Sequence, residues 1–174
     1  IRSALAGRDM QVRGEIEQPH IRPWSTVMRV PTDRGLYFFK ASAAYLAREA
    51  AVTAYLTAFR PELFPELLAT ELSRGWMLMG DAGVPLRQYV RGEKSFARWD
   101  GIMPLFAQLQ KDLSGHTARL LALGMMDRRL ELLPALFEGL IADEAAMLVG
   151  QQDGLSPEQY RQLQGDPGVK PAQP

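Results

Sequence analysis

The chain has 174 residues, long enough for one full domain or for a small lobe and the start of a second, so it can bury a core without covalent or metal staples. Its 20 basic and 20 acidic residues cancel, and 47% of the chain is hydrophobic. These values exclude a strongly basic nucleic-acid binder and the disordered and collagen-like classes. Cysteine is absent, which excludes disulfide frameworks and thiolate metal sites and fits a reducing cytoplasm.

The two histidines, His20 and His116, give no paired spacing for zinc, so no metal ligand is expected. The most apolar stretch, Leu132 to Val149, is interrupted by Glu138, Asp143 and Glu144, and it falls short of the roughly 20 apolar residues that span a bilayer. No membrane partner is expected. The first residue is Ile1, and no charged segment leads into an apolar one as in a secretory signal. The natural N-terminus is expected to lie upstream and the location to be cytoplasmic.

In chain order, Gln11 to Glu17 alternates polar and apolar residues and predicts a strand. Trp24 to Val30 is β-rich, Pro31-Thr32-Asp33-Arg34-Gly35 carries turn chemistry, and Leu36-Tyr37-Phe38-Phe39-Lys40 reads as the returning strand. The alanine-rich run from Ser42 to Phe59 has high helix propensity, with Ser42 as its expected N-cap and Pro61 as its stop. Leu67 to Leu72 and Trp76 to Met79, around Ser73-Arg74-Gly75, predict a hairpin. Beyond Asp81-Ala82-Gly83-Val84-Pro85 the composition turns helical, with helices expected over Phe96 to Leu123, over Asp127 to Val149 and from Pro157. Ser156 and Gln159 there have capping-box spacing. Residues 166–174 are too rich in Pro and Gly for a packed element. The expected organisation is α+β: a lobe over 1–80, a linker over 81–86, helices over 87–165 and a flexible tail.

The central helix carries the most informative pattern. Tyr45, Glu49, Val52, Leu56 and Phe59 are spaced 4, 3, 4, 3 and share one stripe, on which Glu49 is the single charge. A carboxylate turned inward needs a cation or several donors, and Lys40, closing an apolar aromatic strand, is the nearby candidate. Two readings fit this pattern. Either Glu49 meets Lys40, or Glu49 sits at the stripe's margin in water and Lys40 snorkels from the strand's end.

The order of elements favours the first. Strand, turn, strand ending in Lys, helix carrying Glu, two more strands, a Gly-containing connector and helices is the layout of a protein-kinase-like N-lobe with a five-stranded antiparallel sheet and one helix. The stretches Arg22-Pro23-Trp24-Ser25-Thr26-Val27-Met28-Arg29-Val30-Pro31, Tyr37-Phe38-Phe39-Lys40-Ala41, Arg48-Glu49-Ala50-Ala51, Pro65-Glu66-Leu67-Leu68-Ala69 and Gly75-Trp76-Met77-Leu78-Met79-Gly80-Asp81 resemble the aminoglycoside phosphotransferase family, whose members share the kinase-like fold and phosphorylate small molecules. The resemblance is strongest from about His20 to Asp81.

That resemblance implies that Lys40 holds the α and β phosphates of ATP and that Glu49 fixes Lys40. It further implies that the loop Pro23-Trp24-Ser25-Thr26 covers the phosphates, and that Met79-Gly80-Asp81-Ala82 forms the hinge between lobes, where the backbone of Asp81 and Ala82 pairs with the adenine edge. The loop lacks the glycines of the protein-kinase run. Phe38, two residues before the lysine, stands where protein kinases have a small residue against adenine, and is expected either to narrow or to block that pocket.

In this superfamily a His-x-Asp loop and a metal-binding Asp follow these helices. His20 is followed by Ile21-Arg22 and His116 by Thr117-Ala118-Arg119, so neither begins such a loop and neither is assigned a catalytic role. The expectation is the ATP-binding portion of a phosphotransferase cut before its catalytic loop. Such a piece is inactive alone, and Mg²⁺ is expected only in the complete protein. Its partners are a nucleotide and an unknown small-molecule acceptor, with self-association expected through exposed helical faces. A noncatalytic kinase-like interaction module and a plain α+β domain without a nucleotide site are the alternatives.

Overall fold

A computed structural model describes residues 1–165, and the tail expected over 166–174 lies outside them. The chain divides into two compact units, Ile1–Met125 and a second that begins at Met126. The first is α+β and is built on a five-stranded antiparallel sheet.

A short helix, α1 (Arg2–Ala6), precedes β1 (Glu17–Arg22), β2 (Ser25–Thr32), β3 (Gly35–Ser42), helix α2 (Arg48–Phe59), β4 (Leu67–Glu71) and β5 (Trp76–Gly80). The sheet order is β1-β2-β3-β5-β4, so α2 lies in the crossover that lets β5 rather than β4 pair with β3. The β2–β3 hairpin runs in unbroken register from Ser25 opposite Ser42 to Thr32 opposite Gly35. Its turn is the two residues Asp33 and Arg34. Gly35, at φ +115°, supplies a conformation that a side chain resists, and the Thr32 hydroxyl donates to the Gly35 carbonyl at 2.8 Å.

Three expectations are corrected in this region. Gln11 to Glu17 is not a strand: Gly14 bends the chain at φ +105°, leaving Val12 in an isolated bridge with Thr32, and pairing starts at Glu17. Pro31 lies inside β2 rather than in the turn, opposite Leu36. Ser42 ends β3 and does not cap a helix. A 3₁₀ turn over Ala44–Leu46 intervenes, and α2 begins at Arg48 with Ala47 at its N-cap. Tyr45 therefore falls outside α2 and is exposed rather than inward. The helix ends as expected before Pro61, at Arg60, whose backbone has left the helical region at φ −139° and ψ 69°, as the α conformation is disfavoured ahead of a proline.

Side chains directly opposite one another in an antiparallel ladder share a face, which gives the sheet two unlike sides. On one, Val30, Tyr37, Phe39 and Leu78 pack with Leu5 and Met10 from the N-terminal segment as the main core. Phe39 and Trp76 meet there edge to face, 5.8 Å between centroids. On the other side the rows are Arg29-Phe38-Met79 and Val27-Lys40-Met77. Both edge strands are irregular: β1 holds Pro19 and slips register between Glu17 and His20, and β4 slips between Leu67 and Ala69.

Past Gly80 the first unit continues through α3 (Leu86–Glu93), α4 (Arg98–Asp112) and α5 (Thr117–Ala122). Helix α3 falls within the region expected to be helical but ahead of the first helix expected there, whose expected start is Phe96. The single helix expected over Phe96 to Leu123 is broken by a 3₁₀ segment at Leu113–His116, which contains Ser114-Gly115. In the second unit the helix expected over Asp127 to Val149 is likewise divided into α6 (Leu133–Ala142) and α7 (Glu144–Met147). Asp143 separates them, its carboxylate accepting from the Ala146 amide at 3.0 Å. Helix α8 (Pro157–Leu163) opens with the expected capping box between Ser156 and Gln159, and its buried Tyr160 donates to the Ile141 carbonyl at 2.6 Å. No helix among the described residues is long and apolar enough to cross a membrane.

Candidate functional site

Lys40 and Glu49 form an ion pair, Nζ donating to Oε1. The strand fixes one partner and the helix the other. Lys40 lies between Val27 and Met77 in neighbouring strands, so its stem runs along apolar surface while the ammonium extends toward α2. Glu49 occupies the first turn of α2, where a carboxylate also complements the helix dipole. Its second oxygen, Oε2, accepts from the Ser42 hydroxyl at 2.8 Å.

The pair is neither buried nor free in water: the Lys40 side chain is 27% exposed and that of Glu49 38%. At such exposure an ion pair contributes about 0–1 kcal/mol to stability. An ammonium has three N–H donors, and one of Lys40's is given to Glu49. The arrangement can therefore present an oriented cation to an anionic ligand from a partly open face. That a carboxylate on the inward stripe needs a cation is legible from sequence, whereas the bond from the Ser42 hydroxyl is not, because a serine ahead of an alanine-rich run has the pattern of a helix cap.

Helix α2 is held at both ends. At its start, Gly75 in the β4–β5 turn has φ +66°, and a Cβ added there would lie 2.6 Å from the Ala47 Cα. The Gly75 carbonyl accepts from the Ser42 amide at 3.2 Å. At its far end, the Tyr55 hydroxyl bonds to His116 Nδ1, Phe59 packs on the His116 ring at 4.7 Å, and Arg60 bridges Glu62 and Asp112. The hydrogen bond from Arg60 holds the Glu62 carboxyl below its usual range and raises the Arg60 guanidinium. His116 is thus a packed, hydrogen-bonded member of the seat of α2.

The remaining residues singled out from sequence are placed less uniformly. Pro23 and Trp24 are the two-residue turn between β1 and β2, while Ser25 and Thr26 belong to β2 itself. The phosphate-covering loop expected over Pro23 to Thr26 is therefore a tight hairpin tip. The Thr26 hydroxyl is engaged within it, donating to the His20 carbonyl at 3.0 Å and accepting from Gln18 at 2.7 Å. Met79 and Gly80 close β5, with Met79 opposite Phe38 on the Lys40 side of the sheet. The Gly80 amide donates to the Glu66 carbonyl at 2.8 Å. Asp81 and Ala82 lie in the exposed connector to α3, where the Asp81 carboxylate accepts from the Gly83 amide at 2.8 Å. The structure thus brings Lys40, Glu49, Phe38, Met77 and Met79 to one side of the sheet, with Trp24, Ser25 and Thr26 at the end of the adjacent hairpin.

Among the described residues no three His, Asp or Glu side chains are gathered as a metal site. Glu49 is committed to Lys40 and Ser42, so the carboxylate beside the lysine is not placed as a cation ligand. No protein-family model, no curated protein and no solved structure matches this chain.

Proposed function

We propose that this chain is the nucleotide-holding part of a kinase-like, cytoplasmic small-molecule phosphotransferase, with Lys40 as the residue that engages ATP phosphates. The observation that carries the reading is the oriented, partly exposed Lys40 on the side of the sheet opposite the core, held by a helical carboxylate. Lysine is a flexible point charge, and a fixed counter-charge makes its direction reproducible, which is what positioning a phosphoryl donor requires. ATP supplies the transferable phosphoryl group; the residues of this chain bind and orient it. Lys40 contacts phosphate oxygens, Glu49 aims Lys40, and the partly exposed sheet floor of Val27, Phe38 and Met79 faces the base. Phe38 opposite Met79 makes that floor bulkier than the small residue of protein kinases and favours shallow seating of the base.

The His-x-Asp loop that accepts the substrate proton in this superfamily is not among the 174 residues. The expected property of the chain as it stands is binding without turnover. The test is ATP titration followed by thermal unfolding, with and without K40A. A ligand at about a hundredfold its Kd stabilises by about 2.7 kcal/mol, a shift that the parent should show and K40A should lose. Equal behaviour of the two proteins sinks the proposal.

A second reading, a noncatalytic module that docks a protein partner or a second copy of itself, is favoured by α4. There Trp99, Ile102, Met103 and Phe106, at 40%, 39%, 51% and 52% exposure, fall at helical spacing on one stripe. Mass in solution as a function of concentration tests it: a monomer at all concentrations removes the self-association version.

A further inference from the structure

We infer that Ser42 is a positioning residue for the nucleotide lysine, the second anchor that fixes Glu49 so that Glu49 can aim Lys40. This inference rests on the reading of Lys40 as the phosphate-binding residue.

Ser42 and Lys40 are two residues apart in β3 and therefore project from the same face. Both reach Glu49, Lys40 at Oε1 and Ser42 at Oε2. The carboxylate is gripped at both oxygens by one strand. Ser42 itself has little freedom: it is 8% exposed, it stands opposite Ser25 in the ladder, and its amide is bonded to the Gly75 carbonyl. Its hydroxyl is a buried donor with a charged acceptor, the stronger kind of hydrogen bond.

The need for such an anchor follows from Glu49's exposure. With its side chain 38% exposed and a single contact to a flexible ammonium, the carboxylate could swing to water and take Lys40 with it. A second bond to a rigid, buried hydroxyl removes that rotation. It also makes the carboxylate's direction a property of β3 rather than of α2, so the lysine is aimed before any ligand arrives.

The experiment compares ATP affinity and thermal midpoint for the parent, S42A, S42T, E49A, S42A/E49A and K40A. S42A removes one oxygen and adds no bulk, and S42T restores the hydroxyl. The expected result is binding weakened roughly five- to tenfold in S42A, less than the full worth of one charge-assisted hydrogen bond because Ser42 acts on the ligand only through Glu49, and recovery in S42T. The double variant should be no weaker than E49A alone, because Ser42 acts only through Glu49. A serine that served packing alone would instead lower the thermal midpoint without this dependence on Glu49. If S42A binds ATP as the parent does while K40A and E49A are impaired, or if S42A weakens binding equally in the E49A background, the Ser42 inference is overturned and the lysine site stands. If K40A binds as the parent does, or no protein binds, the site reading falls and this inference with it.

Discussion

On one side of the sheet, Leu5 and Met10 close over Val30, Tyr37, Phe39 and Leu78, and the chain itself completes the packing. On the other, the same strands present Phe38, Lys40, Met77 and Met79, and although Met77 is buried there, the helix also brings a carboxylate, Glu49, to Lys40. The alternation of β3 delivers both outcomes within eight residues: Tyr37 and Phe39 turn to the core, Phe38 and Lys40 away from it. The difference separates where stability resides from where ligand chemistry can reside, since burying apolar area stabilises by about 25 cal/mol per Å² and a half-exposed ion pair contributes little.

Substitutions can break that separation or sharpen it. The largest effect is expected on the closed side: Leu5→Ala, at a position 1% exposed, should cost about 3 kcal/mol in urea unfolding. A loss below about 1 kcal/mol would show that α1 does not close the core. Next comes Gly75→Ala, which combines a left-handed backbone with an approach of 2.6 Å to Ala47. It should cost about 2 kcal/mol, and because α2 must retreat it should also weaken any ligand contact made by Lys40. Lys40→Ala should change stability by less than about 1 kcal/mol while abolishing the ATP-dependent shift, so a large loss of stability would place Lys40 on the structural side of the division.

The smallest expected effect is with pH. Glu62 is held below its usual range chiefly by the hydrogen bond from Arg60, so its contribution is fully present above the ordinary carboxylate value and lost as pH falls through its lower folded value. Thermal midpoints of the parent and Glu62→Gln should therefore converge only in acid, and parallel curves down to strongly acidic pH would remove this contact from the seat of α2.

Much of this was legible in the residues, for identifiable reasons. Strands β2 to β5 announce themselves through aromatic and β-branched runs set between turn residues, and Gly35 and Gly75 mark turns whose conformations few other residues adopt. The inward charge of Glu49 pointed to a cation, and Lys40 was the nearest. What stayed hidden was set by tertiary contact. The five residues of α1 carry no periodic signal, yet they seal the core. The start of α2 is delayed to Arg48 because Ser42 stays in the ladder and Gly75 presses on Ala47, neither of which local propensity encodes. Helix breaks at Leu113–His116 and Asp143 were similarly masked by a composition that favours helix throughout.

The margins of the sheet carry one more consequence. At β1, a residue without an amide proton sits where the register slips, and at β4 the carbonyl of Leu68, beside that strand's own slip, is taken by the Arg8 guanidinium at 3.0 Å. Neither border offers an incoming chain a regular row of donors and acceptors to copy. Fibrillar growth by strand addition therefore lacks a template here, and a stock of this protein that clouds on standing should do so through its oily helices.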